Sequence, residues 1–116
     1  MWRCVACVMV DGMDYVRAEA VRWTDREWPG WVEVQIAQSD GTVAVVVDKV
    51  PVLDFGDRLA SGVDFPVEID MPCDILRWEV DDNGRRSAVL VLRHGVGDQA
   101  GRSTFRVSEG RIVTAE

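Results

Sequence analysis

Residues 31–48 read WVEVQIAQSDGTVAVVVD, and this stretch decides the fold. Two runs rich in β-branched residues meet at Asp40-Gly41, a dipeptide that strongly indicates a β-hairpin when alternating apolar residues flank it. With that dipeptide as the two turn residues, Ile36 faces Val45. Side chains alternate along a strand, so this register predicts one buried face, made of Val32, Val34, Ile36, Val43, Val45 and Val47. Such a hairpin is marginal alone and must pack against further sheet.

A second hairpin is predicted over residues 73–94, turning at Asn83-Gly84, the preferred pair for a two-residue turn. Its register places Cys73 opposite His94. Apolar side chains occupy both faces of this hairpin, so we expect it to lie in the middle of a sheet.

The rest of the chain reads as further short strands. Residues 15–23 fit either a strand or a helix, and we predict a strand. Residues 67–70 read as a short strand that ends at Met71-Pro72, because proline cannot donate a ladder hydrogen bond. A last hairpin is expected between residues 103–108 and 111–115.

Turn signals recur every eight to twelve residues or so, and no long helical pattern interrupts them. We therefore predict one all-β domain over residues 1–116. Its expected architecture is a small antiparallel β-barrel, or a sandwich, of about seven to eight strands with at most one short helix.

The charge balance restricts the class of partner. Thirteen basic residues stand against twenty acidic ones, a formal net charge of −7. Nucleic acids and anionic membranes both favour clusters of Lys and Arg, so we expect neither as a partner. An acidic surface suits solubility alone, or a basic protein partner.

The cysteines and the first residues indicate a compartment. The chain has three cysteines, an odd number, and residues 1–10 are too short an apolar run to span a membrane and lack a small-residue cleavage pattern. We therefore expect a cytoplasmic protein with reduced thiols.

The cysteines and the single histidine offer two possible sites, one for a metal and one for catalysis. Cys4 and Cys7 have C-x-x-C spacing, and with Cys73 and His94 they would form a tetrahedral zinc set. The alternative is that these cysteines are buried and behave as small hydrophobic residues. We predict no metal and no cofactor. A Cys73–His94 dyad lacks an assignable oxyanion donor or orienting group, so we also predict no enzymatic activity.

The best functional indication is a cluster of tryptophans at residues 23–31. Clustered tryptophans beside acidic groups either cap a barrel core or anchor a partner protein. The following segment, residues 49–55, is apolar but interrupted by Pro51, which favours an exposed patch or a dimer contact. The predicted partner-binding residues are Trp23, Trp28, Trp31, Lys49, Pro51, Leu53 and Phe55.

Three short motifs carry a resemblance. The chain has PGWVE at 29–33, DG at 40–41 and VDKVPV at 47–52, with Val46 where the pattern has Phe. It thereby resembles small uncharacterised bacterial proteins with a P-G-x-V-E … D-K-x-P-V pattern. The resemblance implies a bacterial cytosolic β protein and no particular activity.

Together these observations predict a non-enzymatic module that binds another protein. An immunity-like or regulatory role against a basic partner would suit its size and acidity, and a second copy of the chain is another candidate partner. The alternative is a small-molecule or zinc-binding barrel.

Overall fold

The computed structural model describes residues 14–53, 59 and 64–114. Seven strands form within these residues, with one helical turn after the third and one 3₁₀ turn before the last. In chain order they are β1 (Asp14–Asp25), β2 (Trp31–Ala37), β3 (Val43–Lys49), α1 (Val50–Leu53), β4 (Val67–Val80), β5 (Arg86–Leu92), β6 (Thr104–Ser108), the 3₁₀ turn (Glu109–Arg111) and β7 (Ile112–Thr114).

The strands form one antiparallel sheet in the order β3-β2-β1-β4-β5-β6, with β7 paired to β1. The sheet curls into a half-barrel, so the predicted all-β, barrel-like fold is confirmed. Residues 15–23 form a strand as predicted. The apolar side chains of the concave face pack into one core.

The two outer strands of the sheet approach each other through the backbone. The Ser39 amide donates to the Arg106 carbonyl at 2.9 Å, and Val46 of β3 forms an isolated antiparallel bridge with Asp98. Asp98 is held in place by its own loop, since its carboxylate accepts hydrogen bonds from the amides of Ala100 and Arg102. These contacts partly close the curled sheet.

The predicted register of the first hairpin is wrong by one residue. The Gln38 amide donates to the Thr42 carbonyl at 2.9 Å, so the loop has three residues, and its last residue, Gly41, has a φ of 89°. This is the three-residue loop that ends in a left-handed glycine. Ile36 consequently pairs with Ala44. The inward side chains of β3 are therefore Ala44 and Val46, whereas Val43, Val45 and Val47 point outward.

The second hairpin departs from its predicted register twice. Asp81 donates its amide to the Arg85 carbonyl at 3.0 Å, which again makes a three-residue loop, and its carboxylate accepts hydrogen bonds from the amides of Asn83 and Arg85. A register shift between Ile75 and Arg77 adds a second displacement. As a result Cys73 pairs with Leu92, and the prediction that it faces His94 is wrong.

Two other expectations from the sequence are also wrong. The strand at residues 67–70 does not end at Met71-Pro72, because β4 continues through Pro72, which pairs with Tyr15 and accepts a hydrogen bond from the Arg93 amide. The last two strands do not form a hairpin. β6 pairs with β5, and after the 3₁₀ turn β7 pairs with β1.

The short apolar run at residues 1–10 lies outside the described residues. Among the residues that are described, no helix has the length and hydrophobicity that a bilayer crossing needs.

Candidate partner-binding surface

The loop between β1 and β2 carries the most exposed tryptophan of the described chain. Trp28 is 91% exposed. The loop is fixed by its own hydrogen bonds, since the Glu27 amide donates to the Asp25 carboxylate at 2.9 Å and the Gly30 amide donates to the Glu27 carbonyl at 2.7 Å. Trp28 therefore projects from an ordered turn, in which the Trp28–Pro29 peptide is cis.

Trp23 packs between this turn and the core. Its ring is half-buried against the core and meets Phe65 edge to face, with centroids 5.8 Å apart and ring planes at 83°. Gly30 packs on the same indole, where an added Cβ would lie 3.2 Å from a ring carbon, and its φ of 86° suits glycine. Trp23 thus belongs mainly to the packing of the barrel end.

Trp31 lies on the outer face of β2, next to the same loop. It is 36% exposed, and the Lys49 ammonium stands 5.8 Å from the centroid of its ring, within the range of a cation–π contact. The register confirms the proximity, because Trp31 and Lys49 are paired residues of β2 and β3. The structure therefore brings Trp28, Trp31 and Lys49 to one end of the molecule.

The segment after β3 divides between surface and core. Val50 to Leu53 form one helical turn, in which Pro51 is exposed and Leu53 is only 1% exposed. Leu53 is thus a core residue, and the prediction that it contributes to an exposed surface is wrong. The turn directs this side chain inward while Pro51 stays in solvent. Phe55 lies outside the described residues.

A pocket of about 240 Å³ opens beside Trp28. Its walls come from the barrel end, the β1–β2 loop and the segment after β3, with lining residues Trp23, Arg26, Trp28, Pro29, Gly30, Val50 and Leu59. Sites for drug-sized ligands usually measure roughly 300–1,000 Å³. A cavity of about 150 Å³ already accepts a benzene ring, so this pocket would hold one large side chain.

Charge is unevenly distributed along the chain. Residues 14–70 contain twelve carboxylates against five cationic side chains, whereas residues 71–114 contain six carboxylates against seven arginines. The Trp28 loop therefore lies in the more acidic part of the sequence.

Cys73 and His94 are not brought together in a strand pair. Cys73 is fully buried, and burial, helped by the nearby carboxylates of Asp14 and Asp74, raises the pKa of its thiol to about 12. A thiol with this pKa is neither a nucleophile nor a ready metal ligand at neutral pH. Cys4 and Cys7 lie outside the described residues. Within the described part, no cluster of three or more metal-ligating side chains occurs.

The sequence did not indicate a second exposed apolar group on the β4–β5 hairpin. Leu76, Trp78 and Val80 are 55%, 38% and 63% exposed. The Arg86 guanidinium stacks over the Trp78 ring at 4.5 Å and is itself ion-paired with Glu109. The prediction that this hairpin lies in the middle of the sheet is confirmed, since β4 and β5 each have a neighbouring strand on both sides, but the exposed residues show that its far end is not covered by the core.

Comparison of the chain with protein-family models, curated proteins and solved structures found no significant match.

Proposed function

We propose that this protein is a non-enzymatic module that binds another protein, with Trp28 as the anchor of the contact. The observation that carries the proposal is the exposure of Trp28, 91% on an ordered turn. Tryptophan is among the residues most enriched in the energetic centres of protein interfaces.

The size of the tryptophan side chain gives the contact its energy. Burial of a tryptophan removes about 150–250 Å² from water, and at about 25 cal/mol per Å² this corresponds to roughly 4–6 kcal/mol before the costs of association. Trp28 is 91% exposed, so almost none of this area is buried within the chain itself. A partner that encloses the indole would recover most of it.

The neighbouring pocket supports a protein as the partner. Its volume of about 240 Å³ suits one side chain inserted from outside rather than a cofactor-sized molecule. A projecting ring next to a pocket of side-chain size provides both a knob and a hole, the complementary shapes that pack the centre of an interface.

The charge balance of the chain supports a basic partner. The excess of carboxylates in residues 14–70, together with the net charge of −7, would favour encounter with a positively charged protein. Neutralisation or regulation of such a protein, as an immunity or regulatory protein does, is the role this arrangement suits.

The test is co-purification from the native host with three forms of the chain: wild type, Trp28→Ala and Trp78→Ala. Trp78 is the matched control, an exposed tryptophan at the other end of the sheet. We expect a basic protein to co-purify in a fixed molar ratio with the wild type and with Trp78→Ala. The same protein should be lost from the Trp28→Ala sample. An identical set of proteins from all three forms would refute the proposal.

A further inference from the structure

The β1–β2 loop carries a projecting ring and a pocket side by side. Trp28 is 91% exposed, and the same residue forms one wall of the pocket of about 240 Å³. The described lining also includes Trp23 and Pro29, so much of the wall is aromatic or apolar. One small surface therefore presents both a protruding side chain and a recess of side-chain size.

The volume of the pocket matches an indole ring. A cavity of about 150 Å³ accepts benzene, which has six ring atoms. Scaled to the nine ring atoms of indole, the same packing requires roughly 225 Å³. The pocket of about 240 Å³ is therefore of the size that a tryptophan side chain fills, and its aromatic walls would contact the entering ring.

The charges beside the pocket and beside the projecting ring are opposite. Arg26 lines the pocket, and its guanidinium forms no ion pair with any of the described residues. Glu27 directly precedes Trp28 and is exposed, and its carboxylate is likewise unpaired within the described part of the chain. The pocket therefore suits an aromatic ring that arrives next to an anion, and Trp28 is such a ring.

We propose that, in the absence of its partner, this protein forms a two-fold dimer in which Trp28 of each copy enters the pocket of the other. A two-fold contact requires a self-complementary surface, because every contact between the copies is made twice with the roles exchanged. A ring and a pocket that fits it, on the same loop, meet that requirement. Since Trp28 enters one pocket and lines the other, the two indoles lie beside the two-fold axis, and Glu27 of each copy approaches Arg26 of the other.

The pocket favours a second copy over a side chain of the basic partner. A lysine or arginine that entered the pocket would meet the Arg26 guanidinium, and like charges brought together weaken a contact. The inference rests on the proposed function in one respect, since both assign the contact to Trp28. It adds a form of regulation, because the dimer buries the anchor and has to dissociate before the basic protein binds.

The contact is small, and this sets the expected affinity. Each copy would bury its own indole, about 150–250 Å², and a similar area of pocket wall. The sum of roughly 300–500 Å² per copy is below the 800 Å² or so of a stable interface. The dimer should accordingly be weak, with a dissociation constant on the order of 100 µM.

Sedimentation velocity of the purified chain from about 10 µM to 1 mM brackets this affinity. We expect the mass to rise from one chain towards two as the concentration increases. Trp28→Ala should abolish the rise, and Trp78→Ala, which removes an exposed tryptophan elsewhere on the sheet, should leave it unchanged. A chain that stays monomeric throughout the series, or that associates equally in Trp28→Ala, would overturn the inference.

Charge reversal tests the reciprocal geometry. Arg26→Glu and Glu27→Arg each place like charges together at two symmetric positions, so each should weaken the dimer about fivefold. The double variant Arg26→Glu/Glu27→Arg should recover the wild-type affinity, because each new glutamate then meets a new arginine of the other copy. A double variant as weak as the single variants would contradict the reciprocal contact.

Co-purification with Arg26→Glu separates this inference from the proposed function. The variant keeps Trp28, so it should still capture the basic protein although its own dimer is weakened. A chain that captures the basic protein through Trp28 but never dimerises would overturn the dimer alone. A dimer that depends on Trp28 in a chain that captures no basic protein would support the dimer and refute the proposed function.

Discussion

Replacement of the two neighbouring tryptophans by alanine should separate packing from binding. Trp23→Ala removes a half-buried indole, its edge-to-face contact with Phe65 and the surface on which Gly30 rests. Trp28→Ala removes a ring that is 91% exposed. The two changes delete the same atoms from residues five positions apart, so their difference in unfolding free energy measures burial alone.

The expected magnitudes follow from the structure. Truncation of a fully buried aromatic costs about 3–5 kcal/mol, and the half-burial of Trp23 reduces this to roughly 2 kcal/mol. Loss of the aromatic pair adds about 0.5–1.5 kcal/mol. Trp23→Ala should therefore cost about 2–4 kcal/mol, whereas Trp28→Ala should stay within about 0.5 kcal/mol.

Urea unfolding followed by far-UV circular dichroism is the suitable assay, because it does not depend on the tryptophans that are removed. With a slope of about 1.5 kcal/mol per M, Trp23→Ala should move the midpoint down by roughly 1.5–2.5 M. Trp23→Phe, which keeps a ring against Phe65, should recover part of the loss. An equal fall of the midpoint in Trp28→Ala would refute the reasoning, since Trp28 would then be a packing residue.

Three further outcomes are expected. Leu53→Ala should cost about 2–5 kcal/mol in the same unfolding assay, because the side chain is buried in the core. Alkylation of the native protein followed by peptide mapping should leave Cys73 unlabelled until urea unfolds the chain, because burial raises the pKa of its thiol to about 12. Hydrogen bonds from the Arg102 amide and guanidinium and the Ala100 amide lower the pKa of Asp98. The stability it provides is present above its unfolded pKa, near 4, and is lost as pH falls through the lower folded pKa, so the stability difference between wild type and Asp98→Asn should shrink with acidification.

The turn residues made the hairpins predictable but did not make their registers predictable. Asp40-Gly41 and Asn83-Gly84 both mark real turns, yet each glycine is the third loop residue rather than the second. The same dipeptides serve two-residue and three-residue loops. In both loops the side chain of an aspartate accepts amide hydrogen bonds, and this local contact is not visible from apolar alternation.

Contacts between residues that are distant in the chain could not be predicted from local sequence patterns. The pairing of β7 with β1 joins residues from opposite ends of the described chain, and no local pattern encodes it. The sequence predicted that the strand ends at Pro72, because proline has no amide hydrogen to donate. The strand nevertheless continues, and the Pro72 carbonyl accepts a hydrogen bond from the Arg93 amide. For the candidate site, the cluster of tryptophans was predictable from spacing. The division between a packed Trp23 and an exposed Trp28 depended on the curl of the sheet.

Hydroxyl-radical footprinting of Trp28, with the chain free and in the complex purified from its native host, tests the central claim most directly. Oxidation is read residue by residue by mass spectrometry, and Trp78 serves as the internal reference. We predict heavy oxidation of Trp28 in the free chain and strong protection in the complex, with Trp78 unchanged. Equal oxidation of Trp28 in both samples would contradict the claim that this side chain anchors the partner.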